Sequence, residues 1–447
     1  MKLPLNPPSF ESLIRALRPD LLQRLLKHRD PLVDGRYLHW DELRHRTPPE
    51  GVSSEQWWLA IRLARNALLS ELPLFDKDGR PFSVAIPDPV QIRLYHLDQD
   101  AAGQLRVPDG LNIDENNQRY LLHSLREEAL TSSQLEGAST TRRVAEAMLR
   151  DGRKPRDRSE AMIYNNYQAM NHLRGLKGEP ITPDRILELH SMLTINTLDD
   201  PAGSGQLRRD DEVRVTDNRD GALLHQPPSH LELPARLERL CAFANQSVDT
   251  TPFVHPAVRA ILLHFMVGYD HPFVDGNGRT ARALFYWAMA RSGYWLTEFL
   301  SISQFLRRAP RQYVQAYLHT ETDGGDTTYF VVHQLDTLNR AIDSLHDYLA
   351  GKTKEKRANA KLVAIWPALN LHLNSRQLAL INHALNHPHE AYRMSSHQKA
   401  HQVVYQTART DLLGLEELGL LDRTQEGKAF VFYAPENLRE RLARVGR

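Results

Sequence analysis

Two apolar runs with helical spacing, 254–269 and 279–293, are separated by His271-Pro272-Phe273-Val274-Asp275-Gly276-Asn277-Gly278, and no other segment constrains the fold as much. Asp-Gly-Asn-Gly is expected to break the helix, and its glycines permit positive φ and close backbone approach, so successive N–H groups can curl into an anion-binding nest. The helix that follows then points its positive N-terminus at whatever occupies that nest. Arg279 and Arg282 stand three residues apart on one face of the first turn, where guanidinium forks grip phosphate oxygens in pairs. Asp275 offers the hard oxygen that Mg²⁺ prefers when its other ligands are water and phosphate. His271 titrates near neutrality and can take a proton from an attacking hydroxyl. Phe273 reads as loop packing. Alone, a His-Pro pair is an ordinary capped or core histidine and Asp-Gly-Asn-Gly an ordinary turn. Their combination with two spaced arginines favours a site for a diphosphate or triphosphate.

The segment His271 to Arg282 resembles the signature of the Fic family, H-P-F-x-[DE]-G-N-G-R-x-x-R, at every position. The resemblance implies transfer of an adenylyl group from ATP to a Ser, Thr or Tyr hydroxyl of a target protein, with His271 as base and Asp275 holding Mg²⁺. It further implies an anion hole at Gly276 and Asn277, a cradle continued by Gly278, and phosphate contacts from Arg279 and Arg282. The same family supplies a context for Ser132-Ser-Gln-Leu-Glu136-Gly137, otherwise an unremarked helix end with Gly137 as its cap. These residues match an inhibitory pattern, [ST]-x-x-x-E-[GN], whose glutamate pairs with the second arginine of the signature. Glu136 paired with Arg282 would keep that arginine from the γ phosphate and repel the phosphate itself. A misplacement of ~1 Å can cost about 10²-fold in rate.

The expected architecture is mainly α: a Fic-type helical core with a β-hairpin flap, followed by a C-terminal winged helix-turn-helix domain. Residues 1–112 form an N-terminal helical extension, 113–350 the Fic domain with its inhibitory helix at 115–137, and 360–447 the winged helix. Leu121, Leu122, Leu125, Ala129 and Leu130 mark a buried stripe on the inhibitory helix. Further helices are expected at 158–174, 182–194, 232–246 and 327–349. Val213-Arg214-Val215-Thr216 and Ala222-Leu223-Leu224-His225 alternate around Asp217-Asn-Arg-Asp-Gly221 and read as a hairpin, flanked by Gly205, Arg208 and Pro227-Pro228. In the family such a flap holds the target by strand addition. Tyr313 and Tyr317 are candidates to flank adenine, with core packing as the competing reading.

Over residues 1–90 short helices are expected, and the aromatics Tyr37, Trp40, Trp57 and Trp58 read as a docking segment. Tyr37-Leu-His-Trp-Asp-Glu-Leu-Arg-His-Arg resembles an extension found in one Fic subgroup. Lys352 to Arg357 reads as a solvated linker. From Asn374 onward ten Lys and Arg face eight Asp and Glu, a balance that favours packing or protein contact over DNA binding. Arg393, Lys399, Arg409 and Lys428 are the side chains that would test DNA contact. With a net charge of +1 and one cysteine, Cys241, the chain shows no nucleic-acid footprint and no internal disulfide. No apolar run approaches a membrane span and Met1 opens no signal-type segment, so a cytoplasmic setting is expected. Self-modification, a homodimer, removal of AMP by way of Glu136, and a nucleotide-sensing DNA-binding regulator stay open as alternatives.

Overall fold

The computed structural model describes residues 3–102, 113–217, 219–363, 373–387, 390–401, 403–426 and 429–445. They fall into two compact, mainly helical units that divide between His346 and Asp347. No helix among the described residues is long and apolar enough to cross a membrane.

The first unit opens with α1 (Phe10–Arg15), α2 (Pro19–Leu26), α3 (Trp40–Leu43) and α4 (Ser54–Asn66). A hairpin of β1 (Ser70–Phe75) and β2 (Pro81–Val84) and helix α5 (Asp88–Leu97) follow. The hairpin departs from the all-helical expectation. Leu72 and Leu74 alternate inward with the period of a strand, but Pro73 interrupts the apolar pattern and conceals it. Its turn is held by Asp76, whose Oδ1 accepts from the amides of Asp78 and Arg80 at 2.8 Å. The aromatic segment is core. Trp58 is fully buried, and Arg65 stacks 3.6 Å above the ring of Tyr37 while donating to the carbonyls of Pro31 and Leu38. Tyr37 Oη donates to Asp326 at 2.6 Å, and residues 3–97 pack into the same unit as the helices that follow.

Those helices are α6 (Ile113–Leu135), α7 (Arg142–Asp151), α8 (Arg158–Gly175) and α9 (Pro183–Thr194). After the flap strands β3 (Val215–Thr216) and β4 (Leu223–His225) come α10 (Leu233–Ala244), α11 (Pro256–Asp270) and α12 (Asn277–Arg291). Helices α13 (Ile302–Arg308), α14 (Pro310–Thr322) and α15 (Thr328–Val363), the last running past the unit's end at His346, complete the series. On α6, Leu121, Leu125, Ala129 and Leu130 are buried, whereas Leu122 is exposed and falls outside the stripe expected of it. Helix α15 runs through Lys352 to Arg357, where a linker was expected, because nothing in that basic run breaks a helix. α11 and α12 pack on each other at the centre, and both bury nearly every residue regardless of face, as a helix does when neighbours cover it on all sides.

Several histidines are buried in this unit. Burial lowers the pKa of His39 and His319, which stack 4.2 Å apart, to about 3, and that of His190 to about 4. Unfolded, each would titrate near its ordinary 6.5. The stability gained by keeping them neutral is therefore complete above pH 6.5 and is lost progressively as pH falls toward 3 to 4, on the order of 1 kcal/mol per pH unit per histidine. The melting temperature should drop between about pH 7 and pH 5. A flat profile over that interval would contradict the assignment.

In the second unit, helices Ser375–Asn386, Met394–His401 and Tyr405–Glu417 precede the long strands, and helix Leu438–Val445 follows. Strands β5 (Ala391–Tyr392), β6 (Asp422–Glu426) and β7 (Ala429–Tyr433) form an antiparallel sheet in the order β5-β7-β6. β5 lies between the first two of these helices, and β6 and β7 follow the third. Asp411 is buried at the centre and gathers Asn374, Arg376 and His397. Arg393, Lys399 and Arg409 are exposed; Lys428 lies outside the described residues, as does Asn218 of the flap turn.

Candidate active site

The loop between α11 and α12 is fixed by its own side chains. His271 ends α11 in the left-handed region, with φ of 42°, and Pro272 prevents continuation. Phe273 is fully buried, and Asn277 clamps it: Oδ1 accepts from the Phe273 amide at 2.9 Å and Nδ2 donates to its carbonyl at 2.8 Å. α12 starts at Asn277, two residues earlier than expected, because Gly276 caps it with a φ of 84°. Asn277 and Gly278 thus belong to the first helical turn, and the Asn277 side chain is spent on the loop. What 276–278 offers an anion is the set of first-turn amides, which have no intrahelical acceptor.

Gly276 is also crowded. A Cβ there would lie 2.9 Å from Thr194 Cγ2 and 3.3 Å from His190 Nε2. Gly276→Ala is expected to cost about 1–3 kcal/mol through positive φ and contact together, read as a lowered melting temperature; an unchanged one would refute this account of the turn. His190 escaped the sequence reading. Its ring stacks on Phe273 at 3.7 Å, its Nδ1 accepts from the Gly205 amide at 3.0 Å, and its Nε2 donates to the Asp275 carbonyl at 2.9 Å. It lies 85 residues before Asp275, in an unexceptional helix, so only the folded chain shows what it supports.

The two arginines differ. Arg279 is fully buried and donates through Nη1 to the Leu193 carbonyl at 2.7 Å, while among the described residues its Nε and Nη2 have no acceptor. Burial holds its pKa below the ordinary arginine value. Arg282 is engaged through two nitrogens: Nε donates to Ser132 Oγ at 2.8 Å, and Nη2 to the Ser132 carbonyl at 3.0 Å and Glu136 Oε1 at 2.8 Å. Burial opposes its charge, yet Glu136 beside it brings the pKa above the ordinary value. Helix α6 ends at Leu135, so Glu136 sits in the turn beyond the helix, and Gly137 closes that turn with φ of 93°. A Cβ on Gly278 would stand 2.1 Å from Glu136 Oε1, which places the carboxylate directly on the first turn of α12.

His271 Nδ1 donates to the Gly268 carbonyl at 2.6 Å, an assignment that leaves Nε2 as the ring's free acceptor. Burial lowers the His271 pKa, and nearby His225 and Arg208 lower it further. Arg208 anchors the root of the flap to this loop: its Nε donates to the His271 carbonyl at 3.0 Å and its amide to the Pro272 carbonyl at 2.9 Å. The flap is shorter than expected. Val215 pairs with His225 and Thr216 with Leu223, whereas Val213 and Arg214 precede the strand; Leu223 is exposed and Leu224 half-buried. Asp275 is partly exposed, and Arg158 bridges it to Asp199 at 3.3 and 2.7 Å. Tyr313 and Tyr317, read as candidates for either adenine contact or core packing, pack against α11. The Tyr313 hydroxyl meets His264 Nε2 at 2.7 Å, and the Tyr317 ring stacks on Phe265 at 5.2 Å.

A histidine with one free ring nitrogen, a helix N-terminus and a buried guanidinium with unused donors are groups able to bind phosphate, and the helical core carries all three. Residues 180–289 match the profile of the Fic/DOC family. It is 28% identical over 210 residues to the protein adenylyltransferase Fic of Drosophila yakuba and 29% identical over 210 residues to that of Drosophila melanogaster. Each of these matches covers 45% of this chain and 39% of the relative, so the chain spans about two fifths of the length of the curated relatives it matches. Among solved structures, a Fic family protein from Desulfovibrio desulfuricans is 18% identical at a TM-score of 0.49, covering 77% of this chain and 95% of that one. Fic-1 of C. elegans is 18% identical at a TM-score of 0.49, covering 78% of this chain and 90% of that one.

Proposed function

We propose that this protein is a protein adenylyltransferase that transfers AMP from ATP to a Ser, Thr or Tyr hydroxyl of a target protein or of itself, restrained by Glu136. The observation that carries the reading is Arg279: a fully buried cation in the first turn of α12, with two donor nitrogens unpaired among the described residues. A buried charge is costly unless something pairs with it, and a polyphosphate supplies the pairing.

His271 Nε2 takes the proton of the target hydroxyl as its oxygen attacks the α phosphorus; the bond to the bridging oxygen of the β phosphate breaks and pyrophosphate leaves. The first-turn amides of α12 face the charge that develops on the α phosphate, and Arg279 faces the leaving group. Asp275 is the residue that would hold Mg²⁺. Its partly exposed carboxylate already accepts one cationic group, from Arg158, so a cation suits the position. When bound, the metal neutralises phosphate charge. The edge of the flap at Val215 and Leu223 holds the target segment, and the setting is the cytoplasm.

Incubation with ATP labelled at the α or at the γ position tests the reaction. Label from the α position should appear on protein and label from the γ position should not; the reverse would make the chain a kinase. Titration with CTP, GTP and UTP reads base preference. Giving an AMPylated client to the wild type and to Glu136→Gly separates transfer from removal, since only removal needs the glutamate to position water.

A further inference from the structure

A second cationic cavity lies at the opposite end of the α11–α12 pair from the catalytic loop. It has a volume of about 330 Å³ and is lined by Lys177, Arg259, Arg291, Gln246, Pro256 and Ser292 among others. α11 spans 15 residues, so Pro256 at its start stands about 22 Å from His271 at its end. Two guanidiniums meet here. Arg259, only 7% exposed, gives one N–H to the Gln246 carbonyl and one to the Val254 carbonyl at 3.5 Å, while among the described residues its Nε has no acceptor. A guanidinium has five N–H groups, so bracing this loop leaves three unused. Arg291 makes a single long bond, 3.4 Å, to the Ala244 carbonyl. Lys177 is neutralised by Glu298, but among the described residues neither arginine has a carboxylate partner.

Structural duties account for part of this. Arg291 in the last turn of α12 complements the helix dipole, and Arg259 ties down the loop that leads into α11. Neither duty requires two like charges side by side without a counter-charge. Burial lowers the Arg259 pKa and Arg291 lowers it further, as expected of two like charges held close together. Arginine forks match the oxygens of phosphate, and the volume reaches the lower range of small-ligand sites.

We infer that this cavity is a second anion site, which takes a phosphate group between Arg259 and Arg291, apart from the catalytic loop. The phosphate can be free or carried on a nucleotide. The experiment is phenylglyoxal modification of the full chain, followed residue by residue with peptide mass spectrometry, in the presence of orthophosphate, pyrophosphate or AMP. Saturable, several-fold protection of Arg291 by phosphate, with none from chloride at equal ionic strength, is expected. Stronger protection by AMP than by orthophosphate assigns the ligand to nucleotides, and equal protection assigns it to free phosphate. Equilibrium dialysis with labelled orthophosphate should show an affinity lowered at least about ten-fold for this site in Arg291→Gln, a half-buried position whose exchange spares the core. Absence of saturable protection in the wild type, or equal phosphate binding in Arg291→Gln, would overturn the inference. Because Arg291 lies outside the catalytic loop, failure here leaves the proposed transferase reading untouched, and failure of α-label transfer leaves this site untouched.

Discussion

Exchange of Glu136 for glycine is expected to raise the rate of AMP transfer by about 10²-fold. The carboxylate accepts from Arg282 at 2.8 Å and lies over Gly278, where even a methyl group would collide with it. Its removal therefore frees a guanidinium and clears the space above the first turn of α12 in one step. Arg282 should not swing away, because Ser132 still holds it through both Oγ and the carbonyl. The freed N–H then points where a phosphate would otherwise meet negative charge. Initial rates of α-label incorporation, compared between wild type and Glu136→Gly at equal fold stability, read the effect. An unchanged or lower rate would remove the brake from the account.

The opposite effect is expected of His271→Asn, which should lower transfer by about 10²- to 10⁴-fold, the range over which a positioned base contributes. Asn is preferred to Ala here because residue 271 has a φ of 42°, a conformation that Asn tolerates. The wild-type pH profile gives an independent reading. Burial lowers the His271 pKa, so the base is neutral at pH 7 and the acid limb of kcat/KM should fall below the ordinary 6.5. In His271→Asn that limb should vanish with the activity. A variant that keeps both its rate and its acid limb would assign the base elsewhere.

The centre of the site was legible because one stretch of twelve residues contains a base, a carboxylate, a helix start and two arginines, and local chemistry limits what such a stretch can do. The contact between Glu136 and Arg282 was legible through the resemblance alone; Glu136 by itself is an ordinary polar residue before a glycine. Three details were hidden for physical reasons. Asn277 looks like an anion donor in sequence, but its amide matches the Phe273 backbone in both directions and is consumed there. His190 carries no local signal, since its role arises from stacking on a ring that the chain reaches only 83 residues later. Pro73 masks a strand whose alternation is otherwise regular.

What the order of residues determined on its own is the chemistry on offer: which groups can accept protons, hold cations or grip phosphate, and where helices must stop. That much follows from side-chain identity and backbone permissiveness, which act within a turn or two. Only the tertiary structure decided how those groups are spent. Arg279 and Arg282 are equivalent in sequence, yet packing leaves the first with unpaired donors and closes the second on Glu136, because satisfying a buried charge depends on which elements the fold brings within hydrogen-bond reach. The same holds for Arg259 and Arg291, 32 residues apart along the chain and without individual distinction until α11 and α12 align them at one cavity.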